Sequence, residues 1–71
     1  MQTSDYPKPI SKHDGKDVSF YVYATAYEAM QASVIAETIA VERYAQGQDY
    51  VYAIPGQMMK NRDGTYTVTV V

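Results

Sequence analysis

Between Gly15 and Gly47 the chain contains neither glycine nor proline, and the later part of that interval has room for only one kind of element. Thr25-Ala26-Tyr27-Glu28 is a capping box: the threonine hydroxyl accepts from the third helical amide while the glutamate reaches back. Glu28 suits the positive end of a helix dipole, Arg43 suits the negative end, and Gly47 is a stop signal. The expectation is one helix of about twenty residues. Its polar arc is narrow, comprising Glu28, Gln31, Thr38 and Glu42. Opposite lie Ala29, Ser33, Ala36, Ala40 and Tyr44, with Met30, Val34 and Val41 on one shoulder and Ala32 and Ile39 on the other. Ile35 breaks the pattern from the polar side and Glu37 from the apolar side. A helix apolar over so much of its circumference is usually covered on more than one side. In a chain of 71 residues, the second cover is expected from another chain, which predicts a homodimer.

The strands follow from period-two alternation. Val18 to Ala24 places Val18, Phe20, Val22 and Ala24 on one face and Ser19, Tyr21 and Tyr23 on the other. Asp49 to Ile54 repeats the tetrapeptide YVYA and ends at Pro55-Gly56, which reads as a break or bulge. Gln57 to Lys60 resumes an extended conformation, Asn61-Arg62-Asp63-Gly64 is a hairpin turn, and Thr65 to Val71 alternates again. Ahead of these, residues 1–9 form a flexible lead, with Pro7 and Pro9 keeping it extended. Ile10 to Lys12 is a candidate edge strand, and His13-Asp14-Gly15-Lys16 a turn in which Asp-Gly supplies positive φ. The predicted class is α+β, one domain over residues 10–71: one long helix on a three- or four-stranded, mostly antiparallel sheet, in the order β-α-β-β. A right-handed crossover would set the two YVYA strands parallel, with the last strand between them and antiparallel to both.

The inventory for chemistry is thin. Cysteine is absent, which excludes disulfides and thiolate metal sites and fits a reducing compartment. The one histidine, His13, falls in a surface turn, and Glu28, Glu37 and Glu42 project at different angles. Each glycine is a lone turn residue, so no phosphate-cradling loop exists, and no acidic cluster suits a metal. No catalytic, cofactor-binding or metal-ligating residue is expected. The opening stretch MQTSDYPKPISKHDGKD has no signal-like apolar run, and no segment approaches a membrane span, so a cytoplasmic protein is expected. Net charge is −2, and residues 18–59 carry four acids against Arg43 alone, which disfavours nucleic acid.

Tyrosine supplies eight of the nine aromatic residues. It works well at interfaces, with a large ring and a hydroxyl at its edge. With valine and alanine turned to the helix, Tyr21, Tyr23, Tyr50 and Tyr52 would share the outer face of the sheet with Thr65, Thr67 and Thr69. Together with Ile35 they are the candidate partner-binding residues. The alternative assignment turns Tyr50, Tyr52 and Ile54 toward the helix, and cross-strand tyrosines also stabilise sheets that bind nothing. Met58 and Met59 read as plugs at a core edge. The run Phe20-Tyr21-Val22-Tyr23-Ala24-Thr25-Ala26-Tyr27-Glu28-Ala29 resembles the strand, capped turn and Glu-Ala helix start of small phage- or mobile-element-encoded proteins. Among these are β-α-β-β anti-CRISPR and host-takeover inhibitors, and the resemblance spans residues 18–54. It implies a non-catalytic module that occludes a protein surface. The second reading is a single-strand nucleic-acid binder that stacks bases on the same tyrosines.

Overall fold

The computed structural model describes residues 6–47 and 53–71. Within them the order is β1 (Ser11–Asp14), β2 (Ser19–Tyr23), α1 (Ala26–Ala45), β3 (Met58–Lys60) and β4 (Tyr66–Val70). The four strands form one sheet in the spatial order β1-β2-β4-β3, antiparallel at every junction. This is a small α+β fold with one helix. β4 lies between two strands that share a direction, as expected, and among the described residues its outer neighbour is β3. Residues 48–52 lie outside the described residues, and Ala53 and Ile54 carry no strand.

α1 starts where its local chemistry places it. The Thr25 hydroxyl accepts from the Glu28 amide at 3.3 Å and donates to the Glu28 carboxylate at 3.0 Å, closing the capping box. At the other end Gly47, at φ +96°, donates to the Tyr44 carbonyl. The turns are specific too. Ile54-Pro55-Gly56-Gln57 closes with Gln57 N–H donating to the Ile54 carbonyl, with proline second and a positive-φ glycine third, as a type II turn requires. Gly56 and Gln57 then both face Thr69: Gly56 donates to the Thr69 carbonyl while Thr69 donates to the Gln57 carbonyl. That exchange is a glycine bulge, and it bends the chain into β3. The β1–β2 connection is shorter than predicted. Gly15 N–H donates to the Val18 carbonyl across Lys16-Asp17, and Gly15 does not adopt positive φ.

The faces of β2 are the reverse of the expectation. Tyr23 is buried with Ala29, Ala32 and Ala36 of α1 and Val68 and Val70 of β4, and Tyr21 packs against that cluster. Register agrees, since Tyr21 pairs with Val68 and Tyr23 with Tyr66, which puts them on one face. Phe20 and Val22 lie half-buried on the opposite face, beside Thr67 and Thr69. The cause is volume. A helix that presents alanines leaves a thick gap over the sheet, and a tyrosine ring fills it where valine would leave a void.

Candidate protein-binding surface

The tyrosines singled out on β2 are structural. The Tyr23 hydroxyl donates to the Pro7 carbonyl at 2.8 Å, and the Tyr6 hydroxyl donates to the Val71 carbonyl at 3.2 Å. The Tyr6, Tyr21 and Tyr23 rings meet edge to face, at 5.4 Å and 6.4 Å between centroids, and the Lys12 ammonium sits 5.5 Å from the Tyr21 ring centre. Burial pushes the Tyr23 hydroxyl up to about 12, helped by the neighbouring Tyr21, Tyr6 and Glu28. The outer tyrosine–threonine face is therefore not formed by β2 and β4. Tyr50 and Tyr52 lie outside the described residues. Ile54 points to solvent, so it does not serve as the inward apolar group of the alternative assignment.

Among the described residues the longest run of exposed apolar side chains is on α1. Ala29, Ala32, Ala36 and Ile39 face the sheet. On the far side, Tyr27, Met30, Val34, Val41 and Tyr44 stand with Ile54 at 57–72% exposure. Together with Glu37, the five helical positions follow each other at alternating steps of four and three, starting with three from Tyr27 to Met30. That spacing keeps a stripe on one side of a helix, and here the stripe lies roughly 160° from the sheet-facing one. The helix thus carries two apolar faces, and one sheet covers one of them.

Two shallow concavities run along this stripe and share Val34. The first, about 480 Å³, is bounded by Pro7, Tyr27, Met30 and Ile35. The second, about 710 Å³, lies between Val41 and Tyr44 of the helix and Ile54 and Pro55 of the turn. Ile35, half-buried, is the one predicted partner-binding residue among the described residues that lines either of them. The turn is fixed to the helix from below, where the Ser33 hydroxyl donates to the Gly56 carbonyl. A side chain at Gly56 would run into the Glu37 methylene and the Ser33 carbonyl, so the turn approaches α1 as closely as glycine permits.

Sequence reasoning placed Met30, Val34 and Val41 on a shoulder of the buried side and did not single them out as a site. The alternating three-and-four spacing was the available signal. Among the described residues no group of three His, Cys, Asp or Glu side chains converges to hold a metal ion. No helix among them is long and apolar enough to cross a membrane. Comparison with protein-family models, with curated proteins and with solved structures finds no match.

Proposed function

We propose that the chain is a small non-catalytic protein-binding module that docks a protein along the outer face of α1. The observation that carries this reading is the apolar stripe from Tyr27 to Tyr44, exposed and continued by Ile54. Contiguous apolar patches of this extent are uncommon on monomeric proteins and mark interaction sites. Its composition suits the task, since tyrosine offers area with a polar edge and methionine adapts its shape. The resemblance of Phe20–Ala29 to phage-encoded inhibitors supports a regulator that acts by occluding a surface, and the absence of cysteine fits a cytoplasmic setting. Single-stranded nucleic acid is the weaker reading: Tyr23 is buried, and Glu28, Glu37 and Glu42 lie along the same helix.

The test is substitution on the stripe, where side chains are exposed and the fold does not depend on them. Val41→Glu and Tyr44→Glu should abolish capture of a protein partner and leave the circular dichroism spectrum unchanged. Capture that survives both changes would overturn the assignment of this face. Serine at Tyr21 or Tyr23 is not an equivalent test, because those rings build the core.

A further inference from the structure

We infer that the occupant of this face is a second copy of the chain, paired through α1 as an antiparallel, two-fold symmetric helix pair. This rests on the protein-binding reading above and names the partner of the same surface. The first argument is area. At their exposures the six apolar residues present on the order of 700 Å² in one band, close to the roughly 800 Å² per partner of a standard interface. The band is nearly all of that surface, so one two-fold contact uses it completely.

The second argument is the order of residues within the stripe. About the midpoint of Tyr27–Tyr44, an antiparallel partner brings Tyr27 opposite Tyr44 and Met30 opposite Val41. Large meets large at both ends, and medium meets medium inside. A two-fold interface must be self-complementary in this sense, since each patch meets its own reverse. The alternating spacing favours knobs-into-holes packing at a shallow crossing angle. The concavity beside Pro7 would then receive the partner's Tyr44, and the one beside Ile54 and Pro55 would receive the partner's Tyr27.

The third argument is charge. The positions flanking the stripe are Gln31, Thr38 and Ala45 on one side and Ala26, Ser33 and Ala40 on the other. None is ionised, so two copies approach without like-charge repulsion along the flanks. The exception is Glu37, inside the stripe and opposite the partner's Val34. One polar residue in a helix seam fixes register at a cost in affinity.

Sedimentation of the intact chain over a concentration series tests this. A dimer is expected in the micromolar range, with Val34→Glu and Val41→Glu each monomeric and folded by circular dichroism, their unfolding independent of protein concentration. Glu37→Leu should tighten the dimer by on the order of tenfold, a gain that a residue outside the interface would not produce. Orientation is read by cross-linking, because the chain has no cysteine of its own. A mixture of Met30→Cys and Val41→Cys chains should be joined by a short bis-maleimide, and neither variant alone. Cross-linking of each variant alone, or a dimer indifferent to Val34→Glu and Val41→Glu, would overturn the proposal. A wild-type chain monomeric at several hundred micromolar would also overturn it. In that last case, Val41→Glu-sensitive capture of a different protein would leave the protein-binding reading standing, and no capture would remove both.

Discussion

Tyr23 is the residue on which the core turns, and its environment makes a pH prediction. Its hydroxyl ionises at about 12 in the folded chain against 10.0 for a free tyrosine. The folded value is the higher one, so its contribution is fully present below pH 10 and is lost as pH rises toward 12. The unfolded chain gives up that proton first and is stabilised by doing so. Tyr23→Phe should therefore flatten the alkaline fall in stability, read as urea midpoints at pH 9 and pH 11. Gly56 and Gly64 make a second comparison. Both adopt φ near +90°, but a side chain at Gly64 meets open space while one at Gly56 meets Glu37 and Ser33. Gly64→Ala should cost about 1–2 kcal/mol for backbone strain alone. Gly56→Ala should cost clearly more, and equal midpoint shifts for the two variants would show that the close approach to α1 is unimportant.

Among the elements, α1 was legible because everything that defines it is local: a cap, a glutamate three residues on, no breaker and a terminal glycine. Thr25→Ala removes the cap and should lower stability by about 1 kcal/mol, measurable as a drop in Tm with helix content retained. β2 and β4 were legible as strands but not in their orientation. Alternation separates two faces, and nothing within Ser19–Tyr23 says which one meets the core; the alanines of α1 decide it, and they lie in another element. The outer stripe was hidden for a related reason. A helix apolar on two sides has no single polar face from which to orient it, so Met30, Val34 and Val41 read as core. β3 is three exposed residues and was recognisable only as a stretch following a Pro-Gly break.

At the scale of the molecule, one helix on one sheet makes a slab 36 × 27 × 15 Å across its Cα atoms. A slab this thin has a core on only one side of each layer, which explains both the uncovered helix stripe and the small set of fully buried side chains. The described part of the lead, from Tyr6 onward, adds to that core. Tyr6 closes on Val71, and Pro7 accepts from Tyr23. Deleting residues 1–9 should thus lower stability by about 1–3 kcal/mol, visible as a reduced urea midpoint, where a lead without contacts would leave it unchanged.

The bond from the Tyr6 hydroxyl to the Val71 carbonyl joins residues 65 positions apart. With residues 1–5 omitted, a short glycine-serine bridge can therefore join Val71 to Tyr6, and the chain can be reopened at the exposed Arg62-Asp63 tip. In such a circular permutant β4 comes first and β1 and β2 follow, which shortens the loop closed by the β2–β4 pairing, but the cut opens the β3–β4 hairpin and sends its two strands to opposite ends of the chain. Folding rate follows the mean sequence distance between contacting residues, so the rearranged chain should reach the same native sheet more slowly than the original.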